Sequence, residues 1–399
     1  MGERPRHEIA EVFQRYLEAQ PARQAGPAWS WEQRSVVDRI LACRTARLGG
    51  HVDACDACGQ RTISYNSCRN RHCPKCQGSA QALWLAARQG EVLPVPYAHV
   101  VFTIPQCLAP LALQNPKVVY DLLLRTAART LQEIAANPRH LGARLGFFTI
   151  LHTWGQTLVH HPHVHCVVPA GGLADDGRTW KPCRPGFFLP VRVLSRLFRG
   201  KLLAELAEAF REGRIELYGR LADYRSSAAF GRLLHEARRT EWVVYAKPPF
   251  GSPDQVLAYL GRYTHRVAIA NSRLVRLEEG QVSFRWRDYR HHDKLKVMTL
   301  AAGEFIRRFL LHTLPDGFHR IRHYGLLANG HRRAKLAHCR QLLDAPPPTP
   351  PPPADYRERY RQLTGVSLDT CPCCGGAMLP LGPLPRRARP NKPSWFDSS

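Results

Sequence analysis

Long apolar runs are missing from this 399-residue sequence. No stretch approaches the ~20 consecutive apolar residues that a helix needs to span a lipid bilayer. The stretch Met1 to Gln14 contains Glu3, Glu8 and Glu11 and has no apolar core, which is unlike a signal peptide. We therefore expect a protein of the cytosol, where the 13 cysteines are more often thiols or metal ligands than disulfides.

Acidic side chains are also scarce. The 32 Asp and Glu residues face 57 Lys and Arg residues, which gives a formal net charge of +25 and a pI of about 10.0. Such an excess predicts a polyanionic partner, most simply nucleic acid, because each neutralised phosphate releases counterions. No basic amphipathic helix or apolar anchor points to a membrane surface instead. The predicted location is the cytoplasm, in association with the nucleoid.

The N-terminal part of the sequence predicts two helices followed by a metal-binding module. Residues 5 to 45 repeat apolar side chains at helical spacing. Two CxxC knuckles follow, separated by 14 residues, a spacing typical of one tetrahedral zinc ion. The predicted zinc ligands are Cys55, Cys58, Cys73 and Cys76. A strand from Arg61 to Tyr65 between the knuckles favours a zinc ribbon. Other side chains nearby could replace a ligand or form a second site: Cys43, His51, Cys68 and His72.

Four histidines occur within six residues, at 160, 161, 163 and 165, directly before a β-branched run. On a strand, alternate side chains leave from one face, so His163 and His165 would point together, roughly 6.6 Å apart. Val164 would turn the other way, into a core. Such a pair can bind one metal ion. The alternative is two histidines on the polar face of an edge strand.

Strands and helices alternate around this histidine-rich segment. Strands are predicted at 98–104, 145–154, 163–168 and 242–246, and helices at 118–134, 194–217 and 231–238. A turn at 158–162 would join the second and third strands as an antiparallel hairpin at the centre of a sheet. The pattern therefore predicts an α+β fold.

Two tyrosines follow a helix-start signal. Ser252, Pro253 and Gln255 form a capping-box pattern, so a helix should begin there. Tyr259 and Tyr263 are four residues apart and would lie side by side on one face of it. They could pack on the sheet or serve as a pair of reactive hydroxyls.

The C-terminal third contains basic aromatic segments and a proline run. Phe284 to Arg290 and Phe318 to Tyr324 interleave rings with arginines, which suits single-stranded nucleic acid, although each could be a solvated strand face. Residues 346–353 are a polyproline spacer. Beyond it, Cys371 to Cys374 is half of a second zinc knuckle, with Cys339 and His338 as its nearby candidate partners.

Taken together, these motifs resemble the HUH nucleases, and most closely the two-tyrosine transposases of rolling-circle insertion sequences. The resemblance covers nearly the whole chain and rests on the cysteine module and on four further stretches: 151–156, 161–165, 259–266 and 322–328. It implies a central antiparallel sheet with flanking helices, preceded by a helical and zinc-ribbon module. The predicted segments are a helical N-terminus (1–45), a zinc-binding domain (46–95), a catalytic domain (96–300), a basic helical extension (301–345), a polyproline linker (346–353) and a C-terminal tail with the CPCC knuckle (354–399).

The resemblance also implies a chemistry. His163 and His165 would hold Mg²⁺ or Mn²⁺ at the scissile phosphate of single-stranded DNA. Tyr259 or Tyr263 would attack and form a 5′-phosphotyrosine, so that rejoining needs no ATP, consistent with the absence of a Walker-type loop. Gln156 is the first choice for a third ligand and His161 the second. By ligand softness alone, the histidine pair would favour zinc, copper or iron.

The function predicted from these observations is a transposase that nicks and rejoins single-stranded DNA at the ends of a mobile element. A plasmid replication initiator or a relaxase would share the chemistry. The N-terminal zinc module and the absence of a helicase segment favour the transposase. A zinc-dependent nucleic-acid-binding regulator without catalysis is the alternative from another class.

Overall fold

A computed structural model of the chain describes residues 5–20, 28–89, 91–250, 255–256, 261, 268–347 and 355–386. By backbone contacts the chain divides into two compact units. The first unit comprises Met1–Ala87, His265–Thr313 and Pro350–Ser399, and the second comprises Arg88–Thr264 and Leu314–Thr349. In the described part of the chain, no helix is long and apolar enough to cross a membrane.

The elements are numbered in chain order. The α-helices with described bounds are α1 (Ile9–Glu18), α2 (Trp31–Ala42), α3 (Pro74–Gln89), α4 (Ala109–Gln114), α5 (Pro116–Ala136), α6 (Val191–Arg211), α7 (Ser227–Arg239), α8 (Ala302–Leu310), α9 (Arg332–Leu342) and α10 (Tyr356–Thr364). The strands are β1 (Gly50–Cys55), β2 (Arg61–Tyr65), β3 (Tyr97–Thr103), β4 (Gly146–Trp154), β5 (His160–Pro169), β6 (Gly171–Leu173), β7 (Trp180–Pro182), β8 (Val244–Phe250), β9 (Leu274–Glu278), β10 (Gln281–Asp288), β11 (Lys294–Ala301), β12 (Ile321–Gly325) and β13 (Met378–Leu384).

The second unit is built on a five-stranded sheet with the order β12-β4-β5-β3-β8, in which every neighbouring pair is antiparallel. The histidine-rich strand β5 is the central strand. It pairs with β4 across a turn at 155–159, which confirms the predicted central hairpin. The α+β class with an antiparallel sheet and flanking helices is likewise confirmed.

The core of this unit lies on one face of the sheet. Val164, Cys166 and Val168 of β5 are fully buried in it, together with apolar side chains of α5 and α6. Because side chains alternate along a strand, His163 and His165 leave from the opposite face. The sheet therefore presents one apolar face to its helices and one histidine-bearing face.

The first unit contains two three-stranded sheets, ordered β13-β1-β2 and β11-β10-β9. The predicted helices α1 and α2 are present, and Ser30 caps α2 through a capping box with Gln33. Helix α1 packs on α8, where the ring of Phe13 meets that of Phe309 edge-on with centroids 5.7 Å apart.

This packing groups the chain differently from the linear segments predicted above. The residues from 265 to 313 belong with the N-terminal helices, because α8 covers their apolar face. The described part of the C-terminal tail also belongs to the first unit, since β13 pairs with β1. The predicted boundary at 300 falls inside β11, a strand that the sequence pattern did not indicate.

Candidate metal centres

Three histidines converge on the histidine-bearing face of the central sheet. His152 of β4 lies directly opposite His163 of β5, and His165 follows two residues along. One ring nitrogen from each lies within 4.8 Å of the other two. The two histidines predicted as a metal-binding pair are thus brought together with a third that was not predicted as a ligand.

Hydrogen bonds orient two of these rings. Nδ1 of His163 lies 2.7 Å from the carbonyl oxygen of His161 and donates to it. Nδ1 of His165 lies 2.8 Å from Nε2 of His99, and the two rings are stacked with centroids 5.0 Å apart. Metal-binding histidines usually donate their second ring N–H to such an acceptor, which fixes the tautomer and the ring plane. In both cases Nε2 is then the nitrogen that would bind a cation.

The surroundings keep the neighbouring imidazoles neutral. Burial lowers the pKa of His99 to about 3, with Lys247 and His163 contributing. Burial also lowers the pKa of His160 to about 4, and the Tyr120 hydroxyl group and Nε2 of His160 are hydrogen-bonded at 2.8 Å. Neutral imidazole is the form that binds metals and accepts a hydrogen bond. The site can therefore hold a cation without neighbouring positive histidines repelling it.

The predicted third ligand depended on where the hairpin turns. A turn at 158–162 would bring residue 157 opposite His163 and set Gln156 beside it. The observed turn at 155–159 brings His152 there instead and leaves Gln156 in the turn. His161 contributes its carbonyl group to the orientation of His163. His152 is the residue that sequence reasoning missed, and the signal that could have found it was the strand register.

The two candidate nucleophiles, Tyr259 and Tyr263, lie outside the described residues, and so do Ser252 and Pro253 of the predicted helix start. Their position relative to the histidines therefore stays a prediction.

Eight cysteines of the first unit form two separate clusters, in each of which the Sγ atoms lie within 4.8 Å of one another. The first consists of Cys43, Cys68, Cys73 and Cys76, and the second of Cys55, Cys58, Cys371 and Cys374. The prediction of one site from Cys55, Cys58, Cys73 and Cys76 is therefore wrong. Each CxxC turn supplies only two thiols and takes its second pair from elsewhere in the chain.

The predicted partners of the C-terminal knuckle are also wrong, since Cys371 and Cys374 meet Cys55 and Cys58. His338, which was one of those predicted partners, instead has its Nε2 2.6 Å from the carbonyl oxygen of Gly177. Cys339 and His338 are the candidates nearest in sequence. The pairing of strand β13 with β1 instead brings the C-terminal knuckle to cysteines that are more than 300 residues away in sequence.

The first cluster is buried between the end of α2 and the start of α3. Sγ of Cys76 lies 3.5 Å from those of Cys43 and Cys68, close to the edge of about 3.8 Å expected for a tetrahedron with Zn–S bonds of about 2.3 Å. Hydrogen bonds with Cys43 and Cys68 lower the pKa of Cys76, whereas hydrogen bonds with the same two thiols raise the pKa of Cys73. Four soft thiolates at this spacing are the donor set of structural zinc.

Two family models match the chain. One described as "Putative transposase" matches residues 146–335, a range that contains the three histidines and both candidate tyrosines. Another described as "Transposase zinc-binding domain" matches residues 11–104, which contain all four cysteines of the first cluster.

Similar proteins point the same way. The chain is 57% identical over 370 residues to "Putative transposase y4qJ" of Sinorhizobium fredii (strain NBRC 101917 / NGR234), covering 92% of each chain. It is 29% identical over 346 residues to the "Transposase for insertion sequence element IS801" of Pseudomonas savastanoi pv. phaseolicola, covering 86% of this chain and 82% of the relative.

Among solved structures, the conjugative relaxase TrwC in complex with oriT DNA aligns with 41% of this chain and 70% of its own, at 17% identity. The TM-score of 0.25 is too low for this likeness to bear on the fold or the function. The assignment of the chain to a family rests on the two family models and the two relatives. It belongs to the two-tyrosine family of insertion-sequence transposases that carry an N-terminal zinc-binding domain.

Proposed function

We propose that the chain nicks and rejoins single-stranded DNA at the ends of its mobile element by metal-assisted tyrosine transesterification. The observation that carries this proposal is the convergence of His152, His163 and His165 on the central strands, with two of the rings oriented by hydrogen bonds. An idle polar strand face would not need a buried orienting partner such as His99, which is 3% exposed.

The residues present fit a divalent cation. Nε2 of His163 and of His165 would bind it together with His152, and the cation would supply positive charge to the scissile phosphate. We propose Mg²⁺ or Mn²⁺ from the family resemblance, although imidazole ligands alone favour softer metals. The chain's own contribution is to fix the rings: His99 and the carbonyl group of His161 hold two of them in place.

The proposed nucleophile is the hydroxyl group of Tyr259 or Tyr263. Its oxygen forms a bond to the phosphorus, the bond from phosphorus to the 3′ oxygen of the neighbouring nucleotide breaks, and that oxygen takes up a proton as the tyrosine loses one. The new phosphotyrosine keeps the energy of the phosphodiester. Attack by a 3′ hydroxyl then reverses the step and joins the strands without ATP.

A basic cavity in the first unit suits the proposed DNA partner. It encloses about 920 Å³, and its lining includes Arg34, Arg39, Arg69 and Trp31, which is 73% exposed. Arginines hold phosphates, and an exposed indole can stack on an unpaired base. Together with the net charge of +25, this cavity supports single-stranded DNA as the partner.

The test is a covalent-adduct assay. The full chain is incubated with a labelled single-stranded oligonucleotide from the element end and Mg²⁺ or Mn²⁺, and adducts are resolved on a denaturing gel. We expect an adduct in the wild type, its loss in the Tyr259→Phe, Tyr263→Phe double variant, and its retention in Tyr218→Phe, which removes an exposed hydroxyl elsewhere. Peptide mapping identifies the attacked residue. An intact oligonucleotide with retained binding would instead support the non-catalytic regulator.

A further inference from the structure

The second cysteine cluster joins two segments of the chain more than 300 residues apart. Sγ of Cys55 lies 3.4 Å from that of Cys374, and Sγ of Cys58 lies 3.7 Å from that of Cys371. These distances are far longer than a disulfide bond of about 2.05 Å. They match the edge of about 3.8 Å expected for four sulfurs around one zinc ion.

The first knuckle of this cluster is a tight turn after β1. The N–H of Gly59 donates to the carbonyl oxygen of Cys55 over 3.1 Å, and the N–H of Cys55 donates to that of Gln60 over 2.9 Å. The N–H of Cys58 points at Sγ of Cys55, 3.5 Å away. Gly59 has a φ of +71°, which closes the turn in a conformation that favours glycine.

The second knuckle repeats the first. The N–H of Gly375 donates to the carbonyl oxygen of Cys371 over 3.0 Å, and the N–H of Cys371 donates to that of Gly376 over 2.8 Å. These are the same two bonds at the same offsets, and Gly375 has the same kind of φ, +78°. Sγ of Cys371 again accepts an N–H, here from Cys373 at 3.4 Å. Two turns of one design thus face each other with four sulfurs between them.

The contact between the knuckles is closely fitted. A Cβ atom at Gly376 would lie 2.9 Å from Cβ of Ala57 and 3.0 Å from both Sγ of Cys55 and Oδ1 of Asp56. Asp56 also exchanges hydrogen bonds with Ala377: its Oδ1 accepts from the N–H of Ala377 over 3.0 Å, and its own N–H donates to the carbonyl oxygen of Ala377 over 3.1 Å. These two hydrogen bonds hold the backbones of the two knuckles close together, so that their sulfur atoms meet.

An ion pair behind the knuckles ties the same two segments together. Arg357 of α10 contacts Asp53 of β1 at 2.6 Å and Asp369, just before the second knuckle, at 2.7 Å. Asp53 is 5% exposed, so this charge is buried and paired. The cluster is therefore part of a built interface between β1 and the C-terminal segment.

We propose that Cys55, Cys58, Cys371 and Cys374 form a second structural zinc site, separate from the site of Cys43, Cys68, Cys73 and Cys76. The matched zinc-binding domain ends at residue 104 and so contains only half of its ligands. This site fastens the segment after the polyproline spacer to the N-terminal strands. The proposal does not rest on the tyrosine chemistry.

The test counts thiolate-bound metal in the full chain. All variants carry His163→Ala and His165→Ala, so that the histidine cluster contributes no metal. Without further substitutions, this protein should keep two zinc ions per chain after dialysis. The double variant Cys55→Ser, Cys58→Ser should keep one, and so should the double variant Cys371→Ser, Cys374→Ser. The variant that combines all four substitutions should also keep one. Cys373→Ser is the matched control, because it alters the same turn without removing a ligand, and it should keep two.

A second variant covers the case in which the serine variants do not fold. Cys374→His replaces an exposed thiol by another zinc ligand, so it should keep two metals while the thiolate-to-cobalt absorption band of the cobalt-substituted protein weakens. A cobalt spectrum unchanged from that of the protein carrying only His163→Ala and His165→Ala would show that Cys374 binds no metal. Equal zinc contents in Cys371→Ser, Cys374→Ser and in Cys373→Ser would overturn the proposal as well.

Discussion

At the scale of single residues, the histidine cluster depends on partners outside the three histidine side chains that converge on the sheet. His99 and the carbonyl group of His161 each take one N–H from a ring of the cluster. Such partners set the tautomer of a metal-binding imidazole and the direction of its second nitrogen. The proposed metal site is therefore larger than the three side chains that would face a cation.

A comparison of His152→Ala with Gln156→Ala tests which of the two residues is the third ligand. We expect His152→Ala to lower the affinity for Mn²⁺ at least about 100-fold and to abolish adduct formation, because one of the three proposed ligands is removed. Gln156→Ala should leave both nearly unchanged, since that side chain belongs to the turn after β4. Isothermal titration with Mn²⁺ measures the affinity of each variant. The opposite ranking would restore Gln156 as the ligand.

His99 should act as a positioning residue. His99→Leu removes the partner of Nδ1 of His165, and we expect the affinity for Mn²⁺ to fall about 10- to 100-fold while DNA binding stays. His99→Gln, which can still accept a hydrogen bond from that nitrogen, should recover part of the loss. Circular dichroism of both variants checks that the sheet is intact. Equal affinities in the leucine variant and the wild type would make His99 a packing residue only.

The pair of His163 and His165 could be predicted from the sequence because their relation is local: alternate residues of one strand share a face. His152 could not, because its place depends on the exact turn of the hairpin. A shift of the turn by a few residues brings a different side chain opposite His163.

At the scale of elements, the edge strand β12 is held against β4 by a close approach that only glycine allows. Gly325 has a φ of +61°, and a Cβ atom there would lie 1.9 Å from the carbonyl oxygen of Leu145. The carbonyl belongs to the backbone leading into β4, so it cannot move away without shifting that strand.

Gly325→Ala should therefore destabilise the second unit by more than the usual cost of a positive φ. We expect a loss of at least about 2 kcal/mol in the free energy of unfolding. Gly213→Ala is the matched control in the same unit, because Gly213 has a φ of +69° with nothing within 4 Å of its Cβ position, and it should cost only about 1 kcal/mol. Urea unfolding followed by tryptophan fluorescence compares the two. Equal losses of unfolding free energy in the two variants would mean that the backbone at Leu145 can shift to accommodate the added methyl group.

The elements with strong local patterns were predictable. The helices α1, α2, α5, α6 and α7 and the strands β2 to β5 and β8 follow from apolar spacing and turn residues. Strand β11 did not stand out, because most of its side chains are exposed and it lacks an apolar alternation strong enough to mark it. The pairing of β13 with β1 could not be predicted, since nothing local connects strands so distant in sequence.

At the scale of the whole molecule, the net charge of +25 should dominate affinity for DNA. Replacing Arg34, Arg39 and Arg69 by glutamine removes three cations from the cavity beside Trp31. We expect weaker binding of single-stranded DNA of any sequence, and a slope of log K against log salt that is shallower by about 0.7 for each phosphate that the protein no longer neutralises. Fluorescence anisotropy at several salt concentrations measures both.

The control for this triple variant is Arg211→Gln, Arg214→Gln, Arg239→Gln, which removes three exposed arginines of the second unit and the same total charge. A purely non-specific charge effect would change both variants equally. A larger loss of affinity in the cavity variant would locate the DNA-binding surface there.

The strand order β13-β1-β2 also affects how the first unit folds during synthesis on the ribosome. Strand β2 follows β1 within a few residues, but β13 leaves the ribosome only after the whole second unit, roughly 15 to 65 s later at ~5–20 residues per second. During that interval one edge of β1 has no strand beside it, and such an edge can pair with other chains. A nascent chain that stops short of residue 378 never closes this edge, so truncated copies should be the ones that aggregate or are degraded.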